Sequence, residues 1–161
     1  MVGSLLQVNR RAEYTIGGDD MAVQTFSLRN DGETQITKNF KIKEFRCKDG
    51  SDTILTDVDF IKVKLQKIRD WAGAPIIITS AYRTESYNRS VGGAARSYHI
   101  RGQAYDIKVQ GKTLDEVCRF AESIGILGII RYPSQGFVHI DSRAAKFYSK
   151  DSGQSPCTSF Q

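Results

Sequence analysis

The sequence has few cysteines, few histidines and no long apolar run, and each shortage excludes a class of protein. Its three cysteines, Cys47, Cys118 and Cys157, are an odd number with no short spacing between them. They supply neither a disulfide framework nor a cysteine-rich zinc site. Cys118 falls on the apolar side of an expected helix and reads as a small core residue, and reduced thiols fit a cytoplasmic origin. No stretch approaches the roughly 20 apolar residues of a membrane span. The first twenty residues hold one apolar pair, Leu5 and Leu6, where a secretory leader needs about 7–15 apolar residues. The expectation is a chain that is cytoplasmic at synthesis, or one that has lost its leader. No internal repeat is visible. Lysine and arginine are spread along the chain, which argues against a dedicated nucleic-acid groove.

What is present describes a globular protein. A length of 161 residues with 40% hydrophobic and 25% charged content suits one domain with a sizeable core, expected to be a monomer. The net charge of +5 leaves two readings, a solvated basic surface or attraction to a polyanion such as nucleic acid or the bacterial wall. Residues 1–38 are weakly patterned and are expected to form a weakly ordered segment. Gly17-Gly18-Asp19-Asp20 reads as a turn or linker, Met21 as a possible natural start, and the residues before it as added or upstream-translated sequence. The compact domain is expected over residues 39–148. The Ser-, Gly- and Gln-rich residues 149–161 are expected to be a disordered tail.

Periodicity places the elements. Ile54, Val58, Ile61, Leu65, Ile68 and Ala72 recur at spacings of three and four, predicting an amphipathic helix from Asp57 to Ala72, ended by Gly73 and Pro75. Pro75 to Thr79 reads as a buried strand, Glu85 to Val91 as a short helix, and Gln103 to Val109 as a strand. Thr113 and Glu116 form a capping box opening a helix that buries Leu114, Val117, Ala121 and Ile124 and closes at Gly125. Ile129-Ile130 and Phe137 to Asp141 are strands joined by a turn over Pro133 to Gly136. Helices and strands mix without strict alternation, so the predicted class is α+β, with a mainly antiparallel sheet and flanking helices.

The two histidines, His99 and His139, both sit beside acidic residues. Alternation along a strand sends Val138 and Ile140 to the core and leaves His139 and Asp141 on the opposite face. Asp106, between Tyr105 and Ile107, is an expensive mid-strand carboxylate unless it is paired or bound to a cation. Two neutral imidazoles and a carboxylate are a common catalytic zinc set with an open fourth position. A satisfied core or surface histidine remains the alternative at each position, and spacing alone does not decide.

Longer motifs carry a resemblance. Ser97-Tyr98-His99-Ile100-Arg101-Gly102-Gln103-Ala104-Tyr105-Asp106 resembles the first zinc motif of the peptidoglycan peptidases that include D-alanyl-D-alanine carboxypeptidases and L-alanyl-D-glutamate endopeptidases. Ser80-Ala81-Tyr82-Arg83 followed by Asn88 is similar to the Ser-Gly-Tyr-Arg segment of that family. Tyr132-Pro133-Ser134 and Phe137 to Asp141 resemble its second metal segment. Lys43-Glu44-Phe45 through Cys47-Lys48-Asp49-Gly50 looks like the opening of the small single-domain phage and bacterial members. The resemblance covers roughly residues 39–143. It implies a fold shared with the hedgehog signalling domain, and Zn2+ bound by His99, Asp106 and His139. It further implies a substrate-contacting Arg83, with a structural salt bridge as the alternative, Asn88 beside the substrate, and a peptidoglycan stem peptide as partner. Ser97 reads either as bonding the substrate or a metal ligand or as capping its own loop. A lysin-like protein, made in the cytoplasm and acting on the wall after release, matches the small members, and a chromosomal wall-remodelling enzyme stripped of its leader is the alternative.

The sequence also departs from that pattern. Many members place a glutamate three residues before the last histidine, where Gly136 stands, and others a histidine two residues before it, where Phe137 stands. Asp141 is the carboxylate left nearby, either as the acceptor of the water proton or as support for a histidine ligand. The departure also keeps alive a non-catalytic, zinc-containing wall- or protein-binding module.

Overall fold

A computed structural model describes residues 23–161. The readings of residues 1–20 and of Met21 lie outside the described residues. The chain runs β1 (Val23–Ser27), α1 (Leu28–Asp31), β2 (Thr53–Asp57), α2 (Val58–Phe60), α3 (Gln66–Ala72), β3 (Ile76–Ser80), α4 (Glu85–Ser90), β4 (Ala104–Val109), α5 (Leu114–Ser123), β5 (Gly128–Tyr132), β6 (Phe137–Asp141), β7 (Phe147–Ser149) and β8 (Pro156–Cys157). Six strands form one sheet in the order β3-β4-β6-β5-β7-β8, antiparallel except for the β5–β7 pair. β1 and β2 form a separate antiparallel ribbon. The class is α+β, as the mixed pattern predicts.

The helix predicted from Asp57 to Ala72 is present. Asp57 is its cap, the carboxylate accepting from the Phe60 amide at 2.9 Å. A single π-helical stretch, Ile61–Leu65, joins α2 to α3, a local widening that the spacing of apolar residues does not reveal. Val58, Ile61, Leu65 and Ile68 are buried, and Gly73 ends the helix in the left-handed conformation at φ 60°. The capping box at Thr113 forms as expected. α5 packs Val117, Cys118 and Ala121 into the same core, and Phe120 stacks on Trp71 of α3 with ring centroids 4.4 Å apart. The far side of this core is the inner sheet face: Tyr105, Ile107, Ile129, Val138 and Ile140.

Three expectations need correction. Pro75–Thr79 was expected as a buried strand, but β3 is an edge strand, and Ile77 points outward with 60% of its surface exposed. Residues 23–38 are not weakly ordered, since β1 pairs along β2 and Ile36 joins the core. Residues 149–161 are not a disordered tail. β8 pairs with β7, Phe160 packs on Tyr148 at 5.4 Å between centroids, and its amide donates to Glu122 at 2.8 Å. One buried aromatic side chain fixes a segment whose average composition is polar.

Candidate metal centre

Sheet register brings the candidate ligands together. Asp106 on β4 lies directly opposite His139 on β6, so both side chains leave the outer face as cross-strand neighbours. Tyr105 and Ile107 anchor β4 from the core side, Tyr105 lying between Phe45 and Phe60 at 5.5 and 5.4 Å. His99 arrives from a tight loop over residues 94–102. There the Ser97 hydroxyl accepts from the His99 amide at 3.2 Å, and the His99 carbonyl accepts from Arg83 N–H at 3.1 Å. Gly102 closes this loop at φ +70°, and a Cβ there would lie 2.5 Å from the Leu55 carbonyl. Only glycine fits both the dihedral and the approach.

The hydrogen bonds assign the ring nitrogens. His99 Nδ1 lies 2.7 Å from the Ala81 carbonyl, which can only accept. Nδ1 therefore carries the proton and leaves the Nε2 lone pair 3.2 Å from Asp106 Oδ2. His139 Nε2 lies 2.8 Å from Asp141 Oδ2, and its Nδ1 lies 2.9 Å from Asp106 Oδ1. One donor atom from each of His99, Asp106 and His139 fits within 4.8 Å of the others, and all three residues are buried. A tetrahedral ion with bonds of about 2.1 Å wants donor atoms roughly 3.4 Å apart. Two lone pairs facing each other at 3.2 Å repel unless a cation lies between them. The donor set thus fits a divalent ion, and imidazoles orientated by a carbonyl and a carboxylate are the usual surroundings of one.

The charges agree with that fit. Burial alone would lower the pKa of His139, but the hydrogen bonds it donates to Asp106 and Asp141 outweigh it and raise the value to about 9. Burial would raise Asp106, yet the hydrogen bond that it accepts from His139 holds its carboxyl well below the usual range. Without a metal, the pocket draws in a proton to supply the missing positive charge.

Arg83 stands at the rim. Its Nε donates to Ser80 Oγ at 3.0 Å, and its terminal nitrogens lie 3.4 Å from Asn88 Oδ1 and 3.4 Å from Asp106 Oδ2. Asn88, expected beside the substrate, is 1% exposed and spends its amide nitrogen on the Ala94 carbonyl at 2.9 Å. It braces Arg83 from beneath instead of facing open space. Ser97 is likewise engaged with the His99 loop.

Asp141 has no exposed surface. It shares the sheet face of His139, as alternation predicts, but Arg143 folds back over it. Arg143 Nε reaches Oδ1 at 2.7 Å and its terminal nitrogen reaches Oδ2 at 2.6 Å. A carboxylate so enclosed has no free oxygen for a water proton, and the geometry favours support of His139 over proton acceptance. Sequence reasoning missed Arg143, which lies past the end of β6. Its guanidinium stacks on Tyr98 at 4.7 Å and Phe147 at 5.0 Å, so it touches both the His99 loop and the carboxylate behind His139. It also missed Gly128, opposite Asp141 in the register, where a Cβ would lie 1.9 Å from Asp141 Oδ1. The alternation His139-Ile140-Asp141-Ser142-Arg143 was the available signal, a cation spaced to meet the acid.

Comparison with known proteins finds a matching family and several relatives. A model of the family described as Peptidase M15 matches residues 38–141. The chain is similar to the peptidoglycan L,D-endopeptidase MepK of Escherichia coli strain K12, with 37% identity over 79 residues that cover 46% of this chain and 43% of that protein. It is also similar to the probable peptidoglycan L,D-endopeptidase MepK of Haemophilus influenzae, with 38% identity over 74 residues that cover 43% of this chain and 40% of that protein. The chain thus spans about two fifths of the length of the curated relatives it matches.

Proposed function

The chain belongs to the peptidase M15 family, and from that membership we propose that it is a zinc-dependent hydrolase of an amide bond in peptidoglycan stem peptides. The observation that carries the proposal is the convergence of one donor atom each from His99, Asp106 and His139 in a buried cluster on the outer sheet face. Two imidazoles and one carboxylate select zinc by ligand type and leave a position open. Bound there, the ion supplies Lewis acidity and an acidified water.

The chain's own groups do the rest. The Ala81 carbonyl and Asp141 hold the two imidazoles in the tautomers that ligation needs. Asp141 is therefore a positioning residue for His139, fixed in turn by Arg143. Arg83, braced by Asn88 and Ser80, presents a half-buried guanidinium beside the cluster. It is placed to meet a substrate carbonyl or carboxylate and the charge that develops on it. Ser97 keeps the His99 loop closed. Similarity to L,D-endopeptidases favours an endopeptidase cut at an L,D junction over removal of a terminal D-alanine.

The basic charge of +5 suits an anionic wall, in line with a lysin-like setting in which the domain meets the wall after release. If charge holds it there, retention on purified walls falls as salt rises. No helix among the described residues is long and apolar enough to cross a membrane.

Mass spectrometry of purified peptidoglycan tests the reading. Stem-peptide fragments should appear with zinc-loaded protein, disappear after chelation and return on adding zinc. Fully zinc-loaded protein that releases no fragments from several wall types would overturn hydrolysis and leave the zinc-containing binding module.

A further inference from the structure

The sheet face that carries the ligands continues past them. Asp106 pairs with His139, and His139 pairs with Ile130, across three strands. One pleat repeat along, Ile77 pairs with Lys108 and Phe137 pairs with Tyr132. Continued by one residue past Ile107 and Val138, the β4–β6 register brings Lys108 next to Phe137. Ile77, Lys108, Phe137 and Tyr132 thus form a row across β3, β4, β6 and β5, about 6.8 Å from the row of ligands.

This row is open and chemically distinctive. Ile77 is 60% exposed. Tyr132 and Phe137 are half-buried and stacked, with centroids 4.5 Å apart and planes at 19°. Lys108 is exposed and, among the described residues, forms no salt bridge, so its charge is unclaimed. Two other cations near the cluster are already engaged, Arg83 by Asp106, Asn88 and Ser80 and Arg143 by Asp141.

We propose that this row is a substrate platform, on which the stacked Tyr132–Phe137 pair and Ile77 take the apolar side of an extended peptide and Lys108 takes a carboxylate borne near the scissile amide. The inference rests on the hydrolase reading of the metal centre. A spacing of about 6.8 Å is two residues of extended chain at roughly 3.4 Å each. The carboxylate that Lys108 meets therefore sits one or two residues from the bond at the metal. An aromatic pair offers rigid contact area at small entropic cost, and a lone lysine adds discrimination between charged and neutral forms of one substrate.

Two synthetic stem peptides, identical except that the carboxyl nearest the scissile bond is free in one and a carboxamide in the other, test the platform. Zinc-loaded wild-type protein should cleave the acid with a kcat/KM about five- to tenfold above that of the amide. Lys108→Met, a surface change that keeps the stem and removes the charge, should bring the ratio to about one, mainly through KM of the acid. An unchanged ratio in Lys108→Met, or no preference in wild type, overturns the platform while leaving hydrolysis intact. If wild type cleaves neither peptide, the hydrolase reading fails separately, and titration calorimetry with the same two peptides decides the platform. A preference for binding the acid that Lys108→Met abolishes supports it, and its absence overturns it.

Discussion

The two histidines reach the same cluster by different means. His99 sits on a loop and is orientated by a backbone carbonyl, Ala81, at 2.7 Å. His139 sits on a central strand and is orientated by a charged side chain, Asp141, which Arg143 holds in turn. The first arrangement depends on loop closure: Gly102 against Leu55, the Ser97 hydroxyl on the His99 amide, and the bond from the Arg83 amide to the His99 carbonyl. The second depends on a buried ion pair with no exposed surface at the acid. A backbone acceptor survives any side-chain substitution at its own position, whereas a chain of charges can be cut at every link. The His139 half is therefore the more sensitive to mutation, and the His99 half the more sensitive to local unfolding.

Asp106 is common to both halves, and its removal has the largest effect. Asp106→Ala should lower zinc affinity by at least about 100-fold, above the roughly 10–100-fold that supporting residues carry, as read by competition with a chromogenic chelator. Gly128→Ala comes next and strikes the His139 half alone. The added Cβ meets the Asp141 carboxylate at 1.9 Å and Arg143 Nε at 2.7 Å, so destabilisation of about 3 kcal/mol is expected, measurable by denaturant titration. Asp141→Asn preserves the shape and removes the charge. It should weaken zinc by about 10–100-fold and shift the d–d bands of the cobalt-substituted protein. Ser97→Ala should have the smallest effect, about 1 kcal/mol on stability and only a few-fold on zinc. An Asp141→Asn effect no larger than that of Ser97→Ala would erase the asymmetry between the halves.

The asymmetry also shows in pH. His139 titrates at about 9 in place of 6.5 because two carboxylates face it. In metal-free protein the stability it contributes is fully present below about pH 6.5 and is lost as pH rises through about 9. Metal binding has the opposite sign, because the neutral imidazole is the ligand and a proton must leave. Zinc affinity should climb up to about tenfold per pH unit below about pH 9, then flatten.

How much of this could be read from the sequence follows from the range of each interaction. His99 and Asp106 lie in one short motif, and alternation along β6 assigns faces to Val138, His139, Ile140 and Asp141 without further knowledge. The helix from Val58 to Ala72 announces itself by period, and its cap and its terminal glycine by residue type. Gly128 was not legible, because its role depends on cross-strand register, and the spacing of Arg143 from Asp141 signals a possible pair without showing that the side chain folds back over the acid. β1 was missed because its partner, β2, begins 26 residues after its own end. Phe160 was missed because a single apolar side chain barely alters the composition of a polar tail. The sealed state of Asp141 needed coordinates as well, since exposure of a strand residue depends on what covers it.

The most direct measurement is a zinc titration by calorimetry of wild type beside Asp106→Ala, with metal content checked by elemental analysis. The account predicts one tightly bound zinc per wild-type chain and none retained by the variant. Zinc binding of equal stoichiometry and affinity in both proteins, or none in either, would contradict the assignment of His99, Asp106 and His139 as the metal centre.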